Sequence, residues 1–126
     1  MEENFYDKSE EITELTFKDL ICKENDIKLK EEPILNGILV LYTPWCSKCS
    51  SMITFWENIS NIFKHKIKVQ TYNTYNHSAK NEKLGKYIKL DTYPKYFIFH
   101  KENNDLIPAD FSKESDIENW ISLNSF

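Results

Sequence analysis

Apolar residues fall along this chain in short blocks whose spacing changes from one block to the next. Ile38-Leu-Val-Leu-Tyr42 is unbroken, which marks a strand buried on both faces of a parallel or mixed sheet. From Ser47 to Phe63, the residues Met52, Phe55, Trp56, Ile59, Ile62 and Phe63 recur at helical spacing and predict an amphipathic helix. Ile67-Lys-Val-Gln-Thr-Tyr72 alternates as a strand does. Tyr96-Phe-Ile-Phe99 is aromatic and β-branched, and Asn103-Asn-Asp105 predicts a hairpin turn into a strand from Leu106 to Phe111. Earlier, Ile12 to Leu15 reads as a short edge strand. Thr16 is placed to cap a short helix carrying Phe17, Leu20 and Ile21, and the charged stretch from Glu24 to Gly37, broken by Pro33, reads as a connection. Ser78 is placed to cap a helix through Tyr87, with Leu84, Tyr87 and Ile88 on one side. Ser112 or Ser115 would cap a last helix with Ile117, Trp120 and Ile121 facing inward.

The order β-α-β-α-β-α-β-β-α predicts an α/β fold, a central mixed sheet of four to five strands flanked by helices. A chain of 126 residues has room for one core, so residues 1–126 form a single domain, with 1–11 as a loose N-terminal extension. The net charge of −4, with no basic stripe, argues against nucleic acid or an anionic membrane as the main partner. All sixteen positive charges are lysine, and isoleucine and asparagine are abundant, a coding bias of AT-rich genomes such as those of some large DNA viruses or parasites. Neither a signal-peptide pattern nor a membrane-spanning apolar run is present. The expectation is an intracellular, cytoplasmic monomer, with the virion as a further location if the gene is viral.

Three cysteines are too few for a disulfide scaffold, and two of them, Cys46 and Cys49, stand as C-x-x-C. The segment Tyr42-Thr-Pro-Trp-Cys-Ser-Lys-Cys49 follows a buried strand and opens a helix. There the first sulfur meets unpaired backbone N–H groups and the positive end of the helix dipole, which favour a thiolate, and Lys48 adds a cation. A thiolate is the nucleophile in disulfide exchange, so Cys46 would attack and Cys49, one turn on, would resolve the mixed disulfide.

Leu39 to Cys49 resembles the active-site segment of thioredoxins, and most closely that of the catalytic domains of protein disulfide isomerases. These read aromatic-x-Pro-Trp-Cys-x-x-Cys after a buried strand. The resemblance extends through Leu84, Leu90 and Thr92-Tyr93-Pro94, and it implies a thioredoxin-like fold with Pro94 cis beside the cysteine pair. It also implies a substrate groove shaped by Trp45, Ser47, Lys48, Thr92, Tyr93 and Pro94, with the Tyr93 backbone pairing to a substrate strand. Three positions depart from the family pattern: Val40 stands where the family buries an acid, Thr71 near the place of a family lysine, and Thr54 where a proline kinks the helix. With Val40 there, water or the charge of Cys46 would have to serve in deprotonating Cys49.

The function these residues predict is thiol–disulfide exchange on protein substrates. No cofactor or metal is required, because the cysteine pair is the redox carrier. Recycling would fall to a reductase or a sulfhydryl oxidase. Beside Cys46, the Ser47-Lys48 pair predicts a potential of about −180 to −260 mV. Two other classes compete. One is a binding or adaptor module with little turnover. The other is a zinc module using Cys46 and Cys49 with His65, His77, His100 or Cys22, against which stands the lack of a second clustered ligand pair. Cys22, after Leu20-Ile21, reads as a small buried hydrophobe.

Overall fold

The computed structural model describes residues 11–75 and 81–125. Strands β1 (Ile12–Leu15), β4 (Asn36–Tyr42), β5 (Ile67–Asn73), β6 (Lys95–Phe99) and β7 (Ile107–Ala109) form one sheet in the order β1-β5-β4-β6-β7. β1, β5 and β4 run parallel, and β6 and β7 are antiparallel. The apolar run therefore sits at the centre of the sheet, and its residues from Ile38 to Tyr42 are fully buried. Gly37 lets β4 lie this close, since a Cβ there would overlap the Lys68 carbonyl oxygen and the Phe99 ring.

Alternation along the strands divides the core in two. Ile12, Ile38, Val40, Tyr42, Ile67, Val69 and Tyr96 face the helices, whose Cys49, Met52, Trp56, Ile59, Ile117 and Ile121 pack onto them. Leu39, Leu41, Tyr72, Phe97 and Phe99 face the other way. The expected helix over Phe17–Ile21 is not what covers that second face. Phe17–Asp19 is one 3-10 turn, held by Asp19, whose carboxylate accepts from the Thr16 N–H at 2.8 Å and its hydroxyl at 3.2 Å. The chain then forms a hairpin of β2 (Leu20–Lys23) and β3 (Asp26–Leu29), so part of the expected connection is a strand. Asn25 takes the left-handed conformation (φ 59°) that such a tight turn needs. Leu20, Ile27 and Leu29 turn inward while Ile21 is exposed, the alternation of a strand rather than the period of a helix. The hairpin is tied to the turn after β6 by the Leu29 N–H donating to the Asn104 carbonyl, 2.8 Å.

The long helix expected from Ser47 is α1 (Ser47–Ser51) and α2 (Ile53–Ile62), broken at Met52 (φ −99°, ψ 4°) without a proline. Ser50 and Ser51 turn their hydroxyls back onto the Ser47 and Lys48 carbonyls, at 3.0 and 2.8 Å, and so compete with the helical ladder. The helix expected from Ser78 begins outside the described residues; Asn81–Lys86 is a 3-10 helix that still buries Leu84. The strand expected to reach Phe111 ends at Ala109, and Phe111 leaves the sheet to pack on Tyr96, ring centroids 5.3 Å apart.

The last helix, α3 (Glu114–Asn124), starts neither from Ser112 nor Ser115 as N-cap but from Lys113. Asp116 reaches back to accept from the Ser112 hydroxyl (2.9 Å), the Ser112 N–H (3.1 Å) and the Lys113 N–H (3.2 Å). The Ser112 hydroxyl foremost, with those N–H groups, holds the Asp116 carboxyl below the usual carboxylate range despite an opposing push from burial. A depressed folded pKa means that this stabilisation is present above the unfolded value near pH 3.9 and is lost as pH falls through the folded one. Asp116→Asn should therefore lower the thermal midpoint near neutral pH, and the gap should narrow as the pH falls below the ordinary carboxylate range. Melting curves of both proteins across that range check this.

Candidate active site

β4 delivers the chain to the edge of the sheet at Tyr42, and Thr43-Pro44 turns it into α1. Cys46 is the N-cap of that helix: its N–H donates to the Thr43 carbonyl (3.2 Å), and its sulfur accepts from the Cys49 N–H (3.1 Å). Cys46 and Cys49 are disulfide-bonded, with Cα atoms 5.2 Å apart. Their surroundings differ. Cys49 is fully buried in the helix-side core, whereas Cys46 is half-buried at its margin. Ser47 and Lys48 are exposed beside them. The Trp45 ring is 64% exposed and rests edge-on against Tyr75, centroids 4.3 Å apart, so it is surface and not core.

The second segment, Thr92-Tyr93-Pro94, carries a cis peptide before Pro94. Thr74, 7% exposed, fixes it to the first segment, its hydroxyl lying 3.1 Å from the Tyr42 carbonyl and 3.0 Å from the Tyr93 hydroxyl. Tyr93 and Cys46 pack against the same core cluster. A hollow of about 310 Å³ is lined by Thr92 and Pro94 together with Tyr96 and Phe111, and an adjoining one of about 210 Å³ by Lys48, Met52, Tyr96 and Phe111. Tyr96 and Phe111 line both hollows, so Lys48 and the pair Thr92 and Pro94 stand around the same two rings. The phenol of Tyr96 is raised to about 12 by burial first and the nearby Glu114 second, and it donates to the Met52 sulfur at 3.5 Å.

One residue, Glu14, was not singled out in the sequence. It stands side by side with Thr71 and Val40 in one row across β1, β5 and β4, on the face that holds Cys49. The Glu14 carboxylate is half-buried. One oxygen accepts from the Thr71 hydroxyl (2.6 Å) and the Tyr42 hydroxyl (3.0 Å), and the other from the Asn73 N–H (2.7 Å). The alternation Ile12-Thr-Glu14 is the signal that could have placed it, because an acid two residues from an inward isoleucine shares its face.

Cys22 is half-buried and free, and burial pushes its thiol up. It packs with the other face of the sheet, away from the cysteine pair. Among the described residues no group of three or more His, Cys, Asp or Glu gathers to hold a metal ion; His77 lies outside them. No helix among the described residues is long and apolar enough to cross a membrane.

The sequence profile of the thioredoxin family matches residues 10–122. The chain belongs to the thioredoxin family. A thioredoxin domain-containing protein of Theileria parva is 33% identical over 60 residues, which cover 48% of this chain and 26% of that protein. Among solved structures, the J-Trx1 fragment of ERdj5 superposes with a TM-score of 0.66 at 14% identity, covering 98% of this chain and 55% of that one. Thioredoxin f from spinach chloroplast, long form, gives 0.63 at 18% identity over 90% of this chain and 86% of that one. These establish the thioredoxin-like α/β fold, and the chain spans only about half of the ERdj5 fragment and a quarter of the Theileria parva protein. Members of the family are thiol–disulfide oxidoreductases that need no cofactor, and the Cys46–Cys49 pair supports a thiol–disulfide redox function in this thioredoxin domain.

Proposed function

We propose that this thioredoxin domain exchanges disulfides with protein substrates, with Cys46 as the nucleophile and Cys49 as the resolving thiol. The observation that carries the assignment is the unequal burial of the pair: one sulfur reaches the surface at a helix N-cap and the other is sealed in the core. In the reducing direction the Cys46 thiolate attacks a substrate disulfide, and one substrate sulfur leaves with the electron pair of the broken bond. Cys49, as a thiolate, then attacks the Cys46 sulfur and frees the second substrate thiol. Two electrons pass to the substrate, and the intramolecular disulfide forms. The reverse sequence oxidises a substrate dithiol.

The exposed Trp45, with Ser47, Lys48, Thr92, Tyr93 and Pro94, forms the walls that a substrate chain meets beside Cys46. A reductase or a sulfhydryl oxidase returns the pair to its working state. In the presence of dithiothreitol the protein should accelerate insulin reduction, read as earlier precipitation of the free B chain. A pure binding module leaves the precipitation time where dithiothreitol alone sets it, and that result would refute the assignment.

A further inference from the structure

Cys49 can resolve a mixed disulfide only as a thiolate, and full burial holds a thiol's proton more tightly than water does. Among the described residues, the groups that could take that proton are few. The strands of the five-stranded sheet carry one acid, Glu14, and it faces the helix side, in the row that contains Val40. The other titratable groups around the pair are Lys48 on α1, Tyr93 before Pro94, Tyr42 on β4, Tyr96 on β6, and Lys113 and Glu114 at the start of α3. Of these, only Glu114 is a carboxylate, and it is an exposed residue at the start of α3, lining the hollow that Lys48, Met52 and Tyr96 share, so the test includes it.

We propose that Glu14 accepts the proton that Cys49 releases when it resolves the mixed disulfide. This rests on the exchange reaction proposed above, and it replaces water or Cys46 as the expected acceptor.

The hydrogen bonds of Glu14 suit that task. A carboxylate held by N–H donors alone would leave a buried donor facing a donor once protonated. Here the oxygen that accepts from Thr71 and Tyr42 has two hydroxyl partners, and a hydroxyl can turn from donor to acceptor. The new O–H of a protonated Glu14 can donate to one of them, while the other oxygen keeps the Asn73 N–H. The proton is therefore received without orphaning a buried group, whose cost would otherwise oppose the transfer.

In this proposal the proton crosses from Cys49 to the carboxylate through an intervening water, so Glu14 acts at one remove from the reacting atoms. In the balanced step, the Cys49 S–H bond breaks and its proton ends on Glu14. The electron pair left on sulfur forms the bond to Cys46, and the bond from Cys46 to the substrate sulfur breaks with its pair on the leaving thiolate. Glu14 afterwards returns the proton to solvent.

With the free thiol removed by Cys22→Ser in every protein compared, reduced protein mixed with a nitrobenzoate disulfide releases one coloured thiolate when Cys46 attacks and a second when Cys49 resolves. In Glu14→Gln the first release should be unchanged. The second should be slower by about tenfold or more near pH 7, within the range of acid–base effects, and should recover above about pH 9, where thiols ionise unaided. Glu14→Asp should restore part of the rate.

A second phase in Glu14→Gln that matches wild type at every pH, or is slowed equally at every pH, would overturn the inference, the latter marking a merely structural role. So would a pH profile moved by Glu114→Gln instead. Should Glu14→Gln not fold, Tyr42→Phe decides: with one donor removed, the carboxylate becomes more basic, and the acid limb of the second phase should move to higher pH. No movement counts against the proposal. Loss of the two-step release in wild type would instead refute the exchange reaction itself.

Discussion

In a chain carrying Cys49→Ser, the first substrate disulfide to meet Cys46 should remain attached to it. Attack needs only the half-exposed Cys46, whose sulfur accepts the Cys49 backbone N–H, a bond that survives the change of side chain. Release needs the buried thiol, which serine lacks. The expected result is a mixed disulfide stable to gel electrophoresis without reductant and cleaved by added dithiothreitol. Cys46→Ser should give no such adduct, because Cys49 is fully enclosed. Turnover should fall in both variants by at least about a thousandfold, the scale on which removing an essential nucleophile acts. Adducts on Cys49 in the Cys46→Ser protein, found by mass spectrometry, would reverse the roles.

Trp56→Ala should remove about 3–5 kcal/mol of stability, the usual cost of emptying a buried aromatic site. Trp56 is 0% exposed on α2, edge-on to Phe55 and tilted against Tyr96, and is among the largest side chains of the helix-side core. Its indole N–H has no hydrogen-bond partner among the described residues, so its contribution is packing and not polar pairing. Trp56→Phe should for that reason cost only about 1–2 kcal/mol, the difference in filled volume. For a domain whose whole stability is of order 5–15 kcal/mol, the alanine variant comes near to unfolding at physiological temperature. Urea melts of the three proteins test both numbers, and equal losses in the two variants would mean that the ring nitrogen matters after all.

What the sequence made legible is what local pattern controls. The unbroken run Ile38–Tyr42 can satisfy burial only at the middle of a sheet, and it lies there. Cys46 and Cys49, three residues apart at a strand-to-helix turn, have no other way to face each other than across one helical turn. The cis bond before Pro94 followed from the resemblance of two segments and not from periodicity.

The misses arose where short-range cues were balanced. Phe17, Leu20 and Ile21 fit a helix face on paper. Asp19 ends the turn by bonding to Thr16, and Asn25 reverses the chain, so the same residues alternate as β2. Helical periodicity ran straight through Met52 because apolar spacing does not register serine hydroxyls competing for backbone carbonyls. Glu14 escaped notice because its partners, Tyr42, Thr71 and Asn73, lie far along the chain, and only the strand order brings them together.

That strand order also sets a timetable for the nascent chain. Among the described residues β1 pairs in the sheet with β5 alone, and the pairing of Glu14 with Thr71 spans 57 residues. At about 5–20 residues per second, roughly 3–11 s of synthesis separate the two strands. For that interval the first strand emerges with nothing to pair with, its carboxylate in water. β1 can be seated only after β5 exists, which makes closure of the Glu14 network a late event in building the domain.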